Sequence, residues 1–402
     1  MDRTGVIVVG GGQAGLAMSR ELSARGLAHV VLERGLIGQA WRNRWDSFQL
    51  VTPNWTVLLP GHPYDGDDPD GFMPRDDVVE YLERYAEAVG APVFENTPVR
   101  AVRSEEGRFV VETDAATYSA PHLVLATGAF QRLTPPRGAG TLPARIVRLG
   151  LDEYSSPQAL PEGGVLVIGS GQSGCQLAEE LHDDGRDVTL ACGKAPWAPR
   201  LVGEHDVVWW LIEGGFFDVP VSELPPEARL LSNPLVTGHD GGRDMNLRTL
   251  RDRGIRLTGH FRAAEGETAS FEGDLAESAA WGDAAYQRLS EYFSATATRL
   301  GLADPALGGP PPFAVEAPTE IDLEGINTVV FTTGFRPEFA SWLPWADAFD
   351  DHGFPVQQDG SSTVIPGLHF VGTHFLRNRR SSVLSGVGRD AEQLAARIAL
   401  AA

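Results

Sequence analysis

Two glycine-rich loops carry the chemistry that this sequence can offer. Each follows a short apolar run and precedes a segment of helical periodicity, at residues 10–15 and 169–174. Glycines in this context let the chain turn tightly and approach a pyrophosphate, and the N–H groups at a helix start attract its negative charge. The candidate nucleotide-binding residues are Gly10, Gly12, Gln13, Ala14 and Gly15 in the first loop and Gly169, Gly171, Gln172, Ser173 and Gly174 in the second. Two such loops predict two dinucleotides, and therefore redox chemistry.

The residue that ends the strand after each loop predicts which nucleotide binds. Glu33 follows the first loop at the distance at which an acid accepts hydrogen bonds from ribose hydroxyls. The equivalent strand after the second loop, at 187–191, has no acid at its end and is followed by Lys194. Lys194 and Arg200 would attract a 2′-phosphate, so the second site is predicted to take NADPH rather than NADH. An ordinary surface lysine is the alternative for Lys194.

Composition and charge exclude several classes of protein. The formal net charge of −21 argues against nucleic acid or an anionic membrane as the main partner. Two cysteines cannot form a disulfide framework and indicate a reducing, cytoplasmic setting. No apolar run approaches the roughly 18 residues of a membrane-spanning helix. The 10 histidines show no metal-ligand spacing, so no metal site is predicted.

Further strand ends indicate how the two loops are organised. Apolar strands at 123–125 and 329–331 both end near a Thr-Gly pair, Thr127-Gly128 and Thr333-Gly334, and a strand at 369–371 ends at Gly372. With the two loops, this order of motifs resembles the two-dinucleotide-binding flavoproteins. In that group an NADPH domain is inserted into a split FAD domain.

The resemblance covers essentially the whole chain and implies an α/β fold with two Rossmann-like dinucleotide-binding domains. The FAD domain would comprise residues 1–156 and 315–402, and the NADPH domain residues 163–312. A mostly helical elaboration is expected in the second half of the NADPH domain, including an amphipathic helix at 275–300.

More narrowly, the chain is similar to the flavin-containing monooxygenases (class B flavoprotein monooxygenases). The motifs that carry this similarity lie at residues 38–42, 45–47, 50–54, 59–61, 333–337 and 375–382. The resemblance implies FAD and NADPH as cofactors. It also implies transfer of one oxygen from O2, through a C4a-hydroperoxyflavin, to a nucleophilic nitrogen, sulfur or activated carbon of a small organic substrate.

The resemblance also implies site residues beyond the loops. Asn54 is the candidate catalytic residue, since an asparagine in the family's equivalent loop could hydrogen-bond the peroxide; a turn residue beside Pro53 is the alternative. The further cofactor-binding candidates are Arg34, Gln39, Trp41, Arg42, Val99, Thr127, Gly128, Gly334 and Gly372.

One motif departs from the family pattern. The family signature FxGxxxHxxx(Y/F/W) precedes the second loop, and here Tyr154 fits its aromatic end while Gly150 stands in place of the histidine. Ala144 and Ile146 occupy the preceding Phe and Gly positions. We therefore expect imperfect coupling, with some hydrogen peroxide released in the absence of substrate.

Two other functions remain open at this point. A disulfide-reductase-like flavoprotein needs a redox dithiol, which Cys175 and Cys192 lack the CxxC spacing to form. A redox-sensing flavoprotein would bind both nucleotides without turnover. Arg377, Arg379 and Arg380 would face phosphates, an anionic substrate or solvent. The expected partners are O2 and a small-molecule substrate, and monomer and homodimer are both left open.

Overall fold

The computed structural model describes residues 1–230 and 233–401. Its helices are α1 Gln13–Ala24, α2 Gln39–Arg42, α3 Arg75–Ala88, α4 Gln172–Asp183, α5 Val207–Glu213, α6 Leu247–Asp252, α7 Leu275–Leu300 and α8 Val387–Ala401. Its strands are β1 Asp2–Arg3, β2 Val6–Val9, β3 His29–Leu32, β4 Leu58–Leu59, β5 His62–Pro63, β6 Val93–Phe94, β7 Val99–Glu105, β8 Arg108–Thr113, β9 Thr117–Ala120, β10 His122–Leu125, β11 Arg132–Leu133, β12 Val147–Gly150, β13 Gly164–Ile168, β14 Val188–Ala191, β15 Leu201–Val202, β16 His205–Asp206, β17 Arg256–Thr258, β18 Phe261–Glu265, β19 Thr268–Phe271, β20 Glu320–Asp322, β21 Ile326–Phe331, β22 Phe335–Arg336, β23 Gln357–Gln358, β24 Ser361–Ser362 and β25 Leu368–Phe370.

The first unit is built on a sheet of order β23-β24-β25-β10-β2-β3-β6, in which the last five strands are parallel. Strand β2 is buried on both faces, because Val6 and Val8 join one apolar cluster while Ile7 and Val9 join another. Helices α1, α3 and α8 cover the first face, and the antiparallel strands β7, β8 and β9 cover the second. Burial on both faces is typical of parallel sheets, and it explains the unbroken apolar run of this strand.

The second unit repeats this architecture. Its sheet has the order β12-β21-β13-β14-β17 and is parallel throughout. Helices α4, α6 and α7 pack on one face, and the antiparallel strands β18, β19 and β20 pack on the other. The α/β fold with two Rossmann-like units is therefore confirmed. The expected helix at 275–300 is also confirmed, since α7 spans Leu275–Leu300.

The sheets divide the chain differently from the domain boundaries expected from the sequence. Strands β12 and β21, expected in the FAD domain, both belong to the second sheet, where β21 lies between β12 and β13. The boundaries drawn at 156 and 315 therefore do not follow the sheets. The elaboration is mostly helical, as expected, with α5, α6 and α7, and it also supplies the short strands β17, β18 and β19. Sheet membership depends on partners distant in sequence, which local apolar patterns do not identify.

The two units connect through a short antiparallel pair, β11 with β22, where the chain passes out of the first unit and back into it. Within residues 1–230 and 233–401, no helix combines the length and the apolar character needed to cross a membrane.

Candidate functional site

The first glycine loop lies between β2 and α1, at the carboxyl end of the first sheet. Gly10 has a φ of +113°, and a Cβ added there would lie 2.6 Å from the Ala126 carbonyl oxygen. A Cβ on Gly15 would lie 1.8 Å from the Gly10 oxygen. Gly12 differs, because a Cβ there would meet no atom within 4 Å. The outer two glycines are therefore required by packing, whereas Gly12 faces open space at the start of the helix.

The second loop has the same construction between β13 and α4. Gly169 also has a φ of +113°, with a prospective Cβ 2.8 Å from the Thr332 oxygen, and a Cβ on Gly174 would lie 1.8 Å from the Gly169 oxygen. The N-cap residues of the two helices, Gly12 and Gly171, are both extended (φ −85°, ψ −172° and φ −69°, ψ −176°). Because glycine has no side chain, neither cap residue occupies the N–H groups at the start of its helix. The first N–H groups of both 12-residue helices are thus available to an anion.

The similar strand ends at 126–128 and 332–334 have a structural explanation. Strand β10 lies beside β2 and β21 beside β13, so each Thr-Gly end borders the glycine loop of its own sheet. Gln131 Nε2 donates to Thr127 Oγ1 (2.8 Å) and to the Gly128 oxygen (2.6 Å). Gly334, with a φ of +86°, consequently lies beside the second loop rather than the first.

Glu33 is placed where the sequence predicts a ribose-binding acid. It follows β3, is 6% exposed, and its two carboxylate oxygens accept the Gly11 N–H (2.6 Å) and the Gly35 N–H (2.9 Å). Each oxygen retains acceptor capacity for a sugar hydroxyl. The Thr97 N–H donates to the Glu33 backbone oxygen (2.7 Å), which brings the start of β7 at Val99 close to this acid. The neighbouring Arg34 is exposed.

Gln13 links three segments at the start of α1. Its side-chain oxygen accepts the Trp41 indole N–H (2.7 Å), and its amide nitrogen donates to the Ser382 oxygen (3.1 Å). Gln39 closes its own turn, because it accepts the Leu36 N–H at 3.0 Å. Trp41 and the segment before α8 are therefore fixed next to the first loop.

Gly372 brings the last strand of the first sheet to the same place. It has a φ of +76°, and a Cβ there would lie 2.3 Å from the Ala14 Cβ. Only glycine lets this strand end pass so close to the start of α1.

Two residues implied by the resemblance are engaged elsewhere. Arg42 donates to the Ile37 oxygen at 3.1 Å and forms an ion pair with Glu83 of α3, so its guanidinium braces α2 against α3 instead of facing the loop. Asn54 is 3% exposed, donates to the Asp68 oxygen (2.9 Å) and accepts the Met73 N–H (2.7 Å). Both ends of its amide hold one loop together, which favours the structural alternative for Asn54.

The second site presents Lys194 after β14, exposed and the only lysine in the sequence. His260 lies beside Gly193 and was not predicted from the sequence. A Cβ added to Gly193 would lie 2.8 Å from the His260 Nε2, and the His260 Nδ1 pairs with Asp274 (2.6 Å). A lone histidine 66 positions beyond Lys194 gives no local signal.

Next to the second glycine loop, Gln172 exchanges two hydrogen bonds with the Val236 backbone, at 2.5 and 3.2 Å.

Arg200, also expected to attract the 2′-phosphate, is placed wrongly for that role. It is 3% exposed, pairs with Asp206 at 2.6 Å, donates to the Val51 oxygen and lies 4.4 Å over the Phe72 ring. Because Val51 and Phe72 belong to the first unit, Arg200 joins the two units instead of binding a ligand.

The two cysteines are inert packing residues. Cys175 and Cys192 have no exposed surface, and burial raises the pKa of both thiols. A thiol acts as a nucleophile only when ionised. Both also lie in the second unit, so neither provides a dithiol beside the first glycine loop.

The altered signature still contributes to the contact between the units. Gly150 ends β12, and a Cβ there would lie 2.5 Å from Asp152 Oδ1, so a histidine would displace Asp152. Tyr154 is 2% exposed and belongs to the same apolar cluster as Trp45 of the first unit. At this interface burial raises the pKa of Glu180 to about 7, although the Ser47 and Tyr154 hydroxyls oppose the shift.

Comparison with known proteins agrees with this arrangement. The model of the pyridine nucleotide-disulphide oxidoreductase family matches residues 7–211. An uncharacterized CzcO-like oxidoreductase from Geobacillus kaustophilus is 30% identical, with 97% of this chain and 96% of that protein aligned. Indole-3-pyruvate monooxygenase YUCCA4 from Oryza sativa is 31% identical over 45% of each chain. A flavin-containing monooxygenase from Stenotrophomonas maltophilia has a TM-score of 0.71 at 21% identity, covering 100% of this chain and 99% of that one.

The similarity in fold to the flavin-containing monooxygenases, expected from the motifs, is thereby confirmed. The full-length relative and the family model together establish that this chain is an oxidoreductase of the pyridine nucleotide-disulphide oxidoreductase family.

Proposed function

We propose that this protein is an FAD-dependent, NADPH-consuming monooxygenase that acts on a small organic substrate. The observation that carries the proposal is the pair of glycine loops with matching geometry, each at the carboxyl end of its own parallel sheet. Ligands in open parallel sheets bind at such positions. The partial match to YUCCA4, a monooxygenase by name, supports oxygen transfer as the reaction class.

The first loop fits FAD. Gly12 leaves room for a pyrophosphate against the free N–H groups of α1, and Glu33 offers carboxylate oxygens to the ribose. Gln13 and Trp41 fix the border of this loop. When bound, the flavin supplies hydride acceptance and oxygen activation, so the chain itself needs no nucleophile or acid–base pair for that chemistry.

The second loop fits NADPH. Gly171 caps α4 without a side-chain hydrogen bond, as Gly12 caps α1. Lys194 places an exposed cation after β14, where an acid would repel a 2′-phosphate. We propose an FAD unit and an NADPH unit that meet where β11 pairs with β22.

The disulfide-reductase alternative lacks a reactive thiol. Cys175 and Cys192 are buried and belong to the second unit. Burial raises the pKa of both thiols, and at Cys192 it outweighs the opposing hydrogen bonds from Thr258 and Ser170.

Oxygen consumption tests the proposal. We expect the FAD-loaded protein to oxidise NADPH slowly with release of hydrogen peroxide. A substrate should accelerate NADPH oxidation and suppress peroxide release. If disulfides accelerate NADPH oxidation under anaerobic conditions instead, the protein is a reductase and the proposal fails.

A further inference from the structure

Lys194 and His260 follow two neighbouring strands of the second sheet. Strands β14 and β17 are parallel and adjacent, and their last residues, Ala191 and Thr258, are paired. Lys194 comes shortly after β14 and His260 shortly after β17. The carboxyl ends of parallel strands share one edge of a sheet, and the second glycine loop lies at that edge. Both residues therefore start from the edge that carries the proposed NADPH site, although the proposed function uses only Lys194.

The second site replaces the ribose-binding acid of the first site with a backbone contact. Cys192 directly follows β14, as Glu33 directly follows β3, and the Cys192 side chain has no exposed surface. Ser170, inside the second glycine loop, accepts the Gly193 N–H at its Oγ (2.9 Å) and donates to the Gly193 oxygen (3.1 Å). The chain beyond β14 is therefore held against the loop at Gly193, with no carboxylate at the position of Glu33.

The imidazole of His260 lies against Gly193 in a fixed orientation. A Cβ added to Gly193 would lie 2.8 Å from the His260 Nε2, so glycine at this position leaves the space that the ring occupies. Asp274 accepts both the ring Nδ1 (2.6 Å) and the His260 backbone N–H (3.1 Å), one with each carboxylate oxygen. About half of the His260 side chain is exposed. Among the residues that the structure describes, none forms a hydrogen bond with Nε2.

The charges around His260 favour an anion at Nε2. An imidazole that donates its Nδ1–H to a carboxylate can donate from Nε2 as well when the ring carries both protons. Asp274 stabilises this charged form, and a phosphate at Nε2 would stabilise it further. The nearby Glu272, whose backbone N–H donates to the His260 oxygen, has its own carboxylate paired with Arg262 at 3.2 Å. Lys194 adds a second positive charge on the neighbouring strand end.

We propose that His260 binds the 2′-phosphate of NADPH together with Lys194, and that Asp274 orients the imidazole for this contact. Lys194 supplies a mobile point charge, whereas His260 supplies an N–H of fixed direction. NADH carries an uncharged hydroxyl at the same position and gains little from either group. The inference rests on the proposed NADPH site and names a second residue on which its preference for NADPH depends.

Binding of two nucleotide fragments to the FAD-loaded protein tests the inference without turnover. Adenosine 2′,5′-bisphosphate and adenosine 5′-monophosphate differ only in the 2′-phosphate, and calorimetry measures the affinity of each. We expect His260→Ala to weaken bisphosphate binding at least about tenfold and to leave monophosphate binding nearly unchanged, because hydrogen bonds between charged groups are the stronger kind. His352→Ala, at an exposed histidine between β22 and β23, is the matched control and should change neither affinity.

A second variant tests the role of Asp274. Asp274→Asn keeps an acceptor for the His260 backbone N–H but removes the charge that stabilises the doubly protonated ring. Its affinity for the bisphosphate should fall, while its affinity for the monophosphate stays at the value of the unmodified protein. A loss of folding would lower both affinities, so the selective loss separates orientation of the imidazole from a merely structural role.

Three outcomes would overturn the inference. The first is an unchanged affinity of His260→Ala for the bisphosphate. The second is an equal loss of affinity for both fragments in His260→Ala, which would assign the ring to the adenine or the ribose. The third is equal affinity of the unmodified protein for the two fragments, which needs no variant to fold. Only the third outcome also contradicts the proposed NADPH site, because the first two leave Lys194 as its phosphate-binding residue.

Discussion

Replacement of Gly12 by alanine should separate ligand binding from folding. The Gly12 backbone, at φ −85° and ψ −172°, is open to any residue, and the new methyl group would meet no protein atom within 4 Å. Glycine-to-alanine changes at compatible positions stabilise proteins by about 0.4–1 kcal/mol. The flavin-free variant should therefore be at least as stable as the parent protein.

Flavin binding should respond in the opposite direction, because the methyl group occupies the space expected for the pyrophosphate. At a free FAD concentration of 100 times Kd, the ligand stabilises the native state by about 2.7 kcal/mol. A hundredfold loss of affinity would reduce this to about 0.4 kcal/mol. The flavin-to-protein absorbance ratio and thermal unfolding with and without FAD measure both effects.

Two further variants give this experiment its controls. Gly140→Ala adds a methyl group that also meets no atom within 4 Å, but far from the loop in sequence, and should keep its flavin. Gly15→Ala places a methyl group 1.8 Å from the Gly10 oxygen and should impair folding and flavin binding together. Full flavin content in Gly12→Ala at the parent's affinity would refute the assignment of this loop.

Three other predictions test the remaining features. Lys194→Ala should raise the KM for NADPH by roughly ten- to hundredfold and leave the KM for NADH nearly unchanged, since a contact to a charged group contributes about 1.5–3 kcal/mol. Steady-state assays with both nucleotides measure this, and an equal rise in both KM values would contradict a role for Lys194 at the 2′-phosphate. Burial raises the pKa of Glu180 from 4.5 to about 7. Between these two values the folded state holds a proton that the unfolded state has lost. The free energy of unfolding therefore falls as the pH rises through this range. Glu180→Gln should remove this pH-dependent loss of unfolding free energy, which is on the order of 1–2 kcal/mol after allowance for solvent access. If the parent protein and the variant each melt identically at pH 5 and pH 8, this prediction is wrong. The double variant Cys175→Ala and Cys192→Ala should keep its NADPH-dependent oxygen consumption, whereas its loss in a folded, flavin-bound variant would revive thiol chemistry.

The glycine loops could be predicted because their requirements are local. The positive φ of Gly10 and the 1.8 Å approach of Gly15 to Gly10 leave glycine as the only residue that fits, and both lie within six positions of sequence. The same reasoning located Gly169 and Gly174. Glu33 was also predictable, since a strand of fixed length places its end beside the loop.

Other parts of the site depend on partners distant in sequence. Arg42 pairs with Glu83 of α3, and Arg200 with the backbone of Val51, 149 positions away. No motif encodes such pairs, so both guanidinium groups were expected to face ligands. The membership of β12 and β21 in the second sheet has the same origin, because parallel pairing is decided by tertiary contacts.

The source of the transferred oxygen atom is the most direct test of the central claim. The FAD-loaded protein would be incubated with NADPH, a nucleophilic sulfide such as methyl phenyl sulfide, and ¹⁸O2 in ordinary water. The account predicts a sulfoxide that carries one ¹⁸O atom, formed only when NADPH and the FAD-loaded protein are both present. Sulfoxide whose oxygen comes from water, or ¹⁸O recovered entirely as hydrogen peroxide with this and every other sulfide supplied, would contradict it.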